Sequence, residues 1–169
     1  MISRRDRILT LTLNRPEQFN AFDATIHAEL PDALAFAATD PDSDIVILTG
    51  AGRAFSAGGD IDWQQGVCEN PDGFEVTVRE ARQIVFGILD CEKPVIAKAN
   101  GPAVGLGATV ALMCDVIFVA RSTFISDPHV SVGKVAGDGG ALIWPQLVGF
   151  ARAKEFLFTG DRIDTEEAA

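Results

Sequence analysis

The chain has 169 residues, a formal charge of −10 and 47% hydrophobic residues, which fits a single domain, 1–169, large enough to bury a core. An acidic chain lacks the basic stripes of a nucleic-acid surface, although a local Arg/Lys cluster still leaves room for an anionic ligand. No apolar run approaches the ~18 residues of a membrane span. Cys68, Cys91 and Cys114 are odd in number and widely spaced, so neither a disulfide framework nor a zinc or other metal site is expected. Cys91 and Cys114 read as buried thiols, and the expectation is a soluble, cytoplasmic protein.

After Arg4, Arg5 and Arg7, which lead into no signal-peptide core, Ile8–Leu13 alternates apolar and polar residues as a half-buried strand does. Asp23 is a candidate N-cap for a helix carrying Ile26, Leu30, Leu34 and Ala37, with Pro31 expected to kink or restart it. Ile45–Thr49 reads as a buried strand ending at Gly50. Gly66–Gly73 reads as a loop, and Phe74–Leu89 as an amphipathic helix ending before Pro94. Pro94–Lys98 is another β-branched run, Ala108–Met113 a buried helix, and Asp115–Ala120 and Thr123–Ile125 strands. Gly139–Leu147 and Ala151–Phe158 look helical around Pro145 and Gly149, and Asp164 is expected to start a further helix. Strands alternating with helices at these lengths give parallel pairing and an α/β domain.

Two glycine-rich loops, Arg53–Ile61 and Asn100–Gly107, follow strand ends. Backbone N–H groups there are free of any ladder, and two of them aimed at one point can hold the oxyanion of an enolate or tetrahedral adduct. The alternative is that the glycines serve only tight turns and close packing. A dinucleotide-binding reading of Gly105-Leu106-Gly107 fails for want of a third glycine, because Val110 stands in its place.

Leu48–Ile61, Pro94–Gly107 and Met113–Ile117, in that order, resemble the crotonase (enoyl-CoA hydratase/isomerase) superfamily, from about Ile8 to the C-terminus. The resemblance implies a spiral of ββα turns that lacks the usual C-terminal helical part. It also implies an acyl-CoA substrate, no cofactor beyond the coenzyme A of that substrate, a role in fatty acid metabolism, and a homotrimer or hexamer if the missing portion is not required. On the same basis Ala57 and Leu106 supply the two oxyanion N–H groups. Asp60 and Ile61 line the coenzyme A cleft, with Phe55, Pro102 and Gly105 as further substrate-binding positions. Asp60 reads equally well as the cap of a helix starting at Ile61.

Departures from the family pattern bear on the chemistry. Where its hydratases carry two glutamates, this chain has Thr109 and His129. A threonine is no carboxylate base, whereas an imidazole near pKa ~6.5 suits general-base work. Asp138 follows nine residues later and can orient the ring. His129, Asp138 and the following Trp144-Pro145 are similar to 6-oxocamphor hydrolase, a superfamily member that cleaves a carbon–carbon bond in β-diketones, and His27 matches a histidine in the first helix of that enzyme. The plainer alternatives are a surface position for His27, a hydrogen-bonded turn for His129 and an Asx-turn for Asp138. Three readings therefore compete: an acyl-CoA enolate enzyme, a cofactor-independent β-diketone hydrolase, and a catalytically silent binding or assembly domain.

Overall fold

The computed structural model, which describes residues 1–121 and 123–168, begins with a strand that the sequence pattern does not announce. β1 (Ile2–Arg5) pairs antiparallel with β2 (Ile8–Leu13). Asp6 and Arg7 turn between them at φ 48° and 63°, the two positive φ values of the tight primed hairpin turn, here without its usual Asn-Gly. Arg7 is anchored by a two-pronged contact with Asp44 at 2.7 and 2.6 Å.

Next come α1 (Ala24–Thr39) and β3 (Ile45–Gly50). The Asp23 carboxylate caps α1 by accepting from the Ile26 N–H at 2.9 Å. Contrary to expectation, Pro31 lies inside one continuous helix; a proline there deletes one intrahelical bond, and burial of Leu30 and Leu34 outweighs it. The expected loop at Gly66–Gly73 is also corrected. α2 (Ile61–Glu69) and α3 (Pro71–Leu89) run through most of it, broken at Asn70, with Pro71 in the first helical turn, where its missing donor costs nothing.

β4 (Val95–Ala99), β5 (Ala103–Val104), α4 (Leu106–Leu112), β6 (Val116–Val119) and β7 (Phe124–Ser126) follow. α5 (Gly140–Thr159) is two helical pieces joined at Gly149, whose φ of 76° and ψ of 161° are not helical. The last element is a strand, β8 (Arg162–Asp164), and not the expected helix. Ile163 is buried by pairing with Ile125 of β7, while Asp164 Oδ1 accepts from the Glu166 and Glu167 N–H groups of a following turn.

Five strands form one sheet in the order β1-β2-β3-β4-β6, parallel except for the first pair, and β5-β7-β8 form a second, smaller sheet. Leu9, Leu11, Val46, Leu48, Val95 and Ala97 point from the large sheet into one core closed by Leu34, Ile84 and Ile88 of the helices. Because β3 and β4 are parallel and in register, Val46 opposite Val95 and Thr49 opposite Lys98, their C-terminal ends lie side by side. Both glycine loops therefore leave the sheet at the same edge.

The loops are then laced together. The Asn100 amide accepts from the Gly50 N–H at 3.0 Å and donates to the Gly52 and Ala54 carbonyls. The Pro102 carbonyl accepts from the Phe55 and Ser56 N–H groups, and the Ser56 carbonyl from that of Val104. Their contact leaves no space for a side chain: a Cβ on Gly101 would stand 2.1 Å from the Arg53 carbonyl oxygen. Gly101→Ala is expected to destabilise the fold by ~1–3 kcal/mol through overpacking; a thermal melt superimposable on the wild type's would show that the loops give way.

Candidate active site

The two loops meet at their glycines. A Cβ built on Gly105 would lie 3.8 Å from Gly58 Cα and 3.6 Å from His129 Cε1, and one on Gly58 would lie 2.8 Å from the Val104 carbonyl oxygen. Gly58 and Gly105 hold φ values of 85° and 53°, the left-handed region that glycine enters without strain. Around this junction opens a cavity of about 790 Å³ bordered by Gly59, Leu106, His27, His129 and Asp138, with Trp63, Val85 and Phe86 supplying apolar wall.

Which N–H groups face the cavity differs in one respect from the sequence expectation. The Ala57 N–H donates to the Phe19 carbonyl at 2.9 Å, so Ala57 is not a free donor. The N–H of Gly59, which borders the cavity, is placed differently. Phe22 and Gly59 form an isolated parallel bridge in which the Phe22 N–H donates to Gly58 and the Phe22 carbonyl accepts from Asp60. In that geometry the residue between the two partners turns its own N–H the other way. Among the described residues nothing accepts from the Gly59 N–H. Leu106 is the first residue of α4, and its N–H is one of the unsatisfied donors at a helix start.

Other expected substrate contacts sort themselves by burial. Phe55 is wholly buried in the core. Pro102 acts through its carbonyl as loop lacing. Asp60 caps α2, accepting from the Trp63 N–H at 3.2 Å, and pairs with Arg15 at 3.3 Å. Ile61 is exposed on the outer side of that helix start. Gly105 alone of the group lies against the site, beside His129.

His129 sits in a short 3-10 turn, His129–Val132, after β7. Its Nδ1 contacts Asp127 Oδ1 and its Nε2 faces Asp138 Oδ2 at 3.3 Å. Asp127 is fully buried, and among the described residues its Oδ2 has no partner. Burial alone depresses the imidazole pKa, but the hydrogen bonds and charges of Asp127 and Asp138 outweigh it and push the value up to about 10. The ring is therefore an imidazolium at neutral pH, with both nitrogens donating to carboxylates. The ordinary value near 6.5 that the residue type suggests is thus displaced upward by its two carboxylate neighbours. Thr109, buried in α4, donates to Asp138 Oδ1 at 3.2 Å and holds that carboxylate in place. Ligand atoms of Asp127, His129 and Asp138 lie within 4.8 Å of one another, a cluster in which the imidazolium already supplies the positive charge between the carboxylates.

His27 is not a surface residue. It is 2% exposed, its ring lies 5.0 Å from that of Trp63 and 6.5 Å from that of Phe22, and its Nδ1 lies 2.8 Å from Glu80 Oε2 of α3. Sequence reasoning missed Glu80, which is 53 residues away, and passed over Asp127, although an Asp two residues before a His in a Pro-containing turn is a readable sign. Of the cysteines, Cys68 is exposed, Cys91 half-buried and Cys114 buried, with burial raising the Cys114 thiol to about 12. Among the described residues no helix is long and apolar enough to cross a membrane.

Residues 3–169 match the family model described as enoyl-CoA hydratase/isomerase. The chain is similar to crotonyl-CoA hydratase of Syntrophomonas wolfei, 34% identical over 176 residues, covering 99% of this chain and 64% of that protein. It is also similar to 1,2-epoxyphenylacetyl-CoA isomerase of Escherichia coli, 35% identical over 163 residues and covering 95% and 62%. A crystal structure of an enoyl-CoA hydratase/isomerase from Mycobacterium paratuberculosis superposes with a TM-score of 0.96 at 39% identity, covering 99% of this chain and 68% of that one. The chain thus spans just under two thirds of the length of the two curated relatives and 68% of that of the crystal structure.

Proposed function

The chain belongs to the enoyl-CoA hydratase/isomerase family, the crotonase superfamily, and from that premise we propose that it stabilises the enolate of an acyl-CoA thioester. The thioester oxygen sits between the N–H groups of Gly59 and Leu106, where preorganised donors favour developing negative charge. His129 and Asp138 exchange the α-proton, the imidazolium giving it and the carboxylate receiving it. The two-glutamate hydration pattern is unavailable, because Thr109 and His129 occupy those places and Thr109 instead steadies Asp138. The observation that carries this reading is that both unpartnered loop positions and the His129–Asp138 pair border the same cavity.

A second reading, hydrolysis of a carbon–carbon bond in a β-diketone, is favoured by one observation: both histidines border the same cavity, each against a carboxylate. There the loop N–H groups hold the enolate that departs. The two are separated by incubating the chain with butyryl-CoA in D2O and, separately, with a cyclic β-diketone. Deuterium at the α-carbon of the thioester is the expected result. Ring opening of the diketone without that exchange supports the hydrolase, and a chain inert to both carries neither chemistry.

A further inference from the structure

The two imidazoles of the cavity are held in opposite ways. Both nitrogens of His129 face carboxylates. His27 has one. Glu80 can only accept, so His27 Nδ1 carries the proton of the 2.8 Å contact and Nε2 is left as the acceptor of the ring. Among the described residues nothing hydrogen-bonds Nε2, and His27 borders the cavity. Carboxylate, oriented imidazole and open nitrogen form the arrangement in which a histidine takes a proton from a nucleophile. The placement also suits that role. His27 lies against Trp63, four residues after Gly59 in α2, while His129 lies against Gly105 of the other loop.

We propose that His27, oriented by Glu80, is the general base that activates water in this cavity, with His129 as the acid. The proposal rests on the enolate reading above and adds to it the hydration of a 2-enoyl thioester. His27 Nε2 takes one proton of water as the water oxygen bonds the β-carbon. The π electrons of the C=C bond shift to the α-carbon and carbonyl, giving an enolate held by Gly59 and Leu106. The α-carbon then takes a proton from the His129 imidazolium, and the proton on His27 returns to His129 through solvent. The sum is one water added across the double bond. Besides Glu80 on α3, the titratable groups around His27 are Cys68 on α2, Arg82 on α3, and Lys134, His129 and Asp138 across the cavity.

The test compares hydration of crotonyl-CoA with deuterium exchange at the α-carbon of butyryl-CoA, which needs no activated water. In His27→Gln, kcat for hydration is expected to fall ~10²–10³-fold, and the ratio of hydration to exchange to fall with it. In Glu80→Gln, which leaves the ring without its orienting carboxylate, kcat for hydration falls in the same direction while KM for crotonyl-CoA and the exchange rate stay near wild type. Should His27→Gln fail to fold by circular dichroism, that selective loss in Glu80→Gln decides. Hydration within about threefold of wild type in His27→Gln or, where that variant does not fold, in Glu80→Gln, or hydration and exchange falling in equal proportion, overturns the base. Wild-type exchange without hydration overturns it too and leaves the enolate reading standing; a wild type that does neither removes both.

Discussion

His129→Ala is expected to cost the protein ~3–5 kcal/mol of stability at neutral pH, the usual result of stripping a buried charge of its partner. The reason is Asp127. It is 0% exposed, one of its oxygens has no partner among the described residues, and the other is held by His129 Nδ1 and, at 3.4 Å, by the His129 backbone N–H. Removing the imidazolium leaves a buried carboxylate with only that backbone donor. A second substitution, Asp127→Asn, takes away the charge that has lost its partner, so the double variant should regain most of the loss. Urea unfolding of the two single variants and the double variant gives the coupling directly. A His129→Ala midpoint close to that of wild type would mean that the ion pair is not formed.

The same pair sets a pH window for stability. His129 has a pKa of about 10 in the folded chain against 6.5 for an unperturbed imidazole, so the folded state binds its proton more tightly than the unfolded one. The stabilisation is complete below pH 6.5 and is lost as pH rises toward 10. Wild type should therefore lose stability across that interval, and Asp127→Asn, with only Asp138 left to hold the proton, should lose less.

Much of the architecture was legible because its signals are local. Ile8–Leu13, Ile45–Thr49 and Pro94–Lys98 have the strand pattern, and the glycines at their ends mark where backbone donors emerge. What stayed hidden is decided by partners far along the chain. Whether Ala57 or Gly59 offers a free N–H depends on Phe19 and Phe22, which pair with the loop from nearly forty residues upstream. Glu80 lies on a helix whose pattern gives no sign that one of its acids turns toward His27. His129 read as a neutral base because its type suggests a pKa near 6.5; two carboxylates around a buried ring raise that value, and only one of them, Asp138, was read as its partner. β1 and the run of α2 beyond Gly66 were missed for a simpler reason: Asp6-Arg7 is an unusual turn pair, and Gly66 with its polar neighbours looks like a loop until the packing of α2 on α3 is in view.

Leu106→Pro should cut any turnover by ~10²–10³ while changing KM far less, because the lost donor acts on charge that develops in the transition state. Proline is well suited to this deletion. Leu106 is the first residue of α4, a position where proline is tolerated because that N–H has no intrahelical acceptor. The preceding residue must avoid the helical region, and Gly105, at φ 53° and ψ −123°, already sits in the mirror image of the extended polyproline conformation, which an achiral glycine adopts freely. The substitution therefore removes one hydrogen and part of a buried side chain, with the helix start preserved. Turnover unchanged in a folded Leu106→Pro protein would move the oxyanion away from this junction. A fall in kcat with unchanged thioester affinity would put the second donor of the site at the head of α4, opposite Gly59.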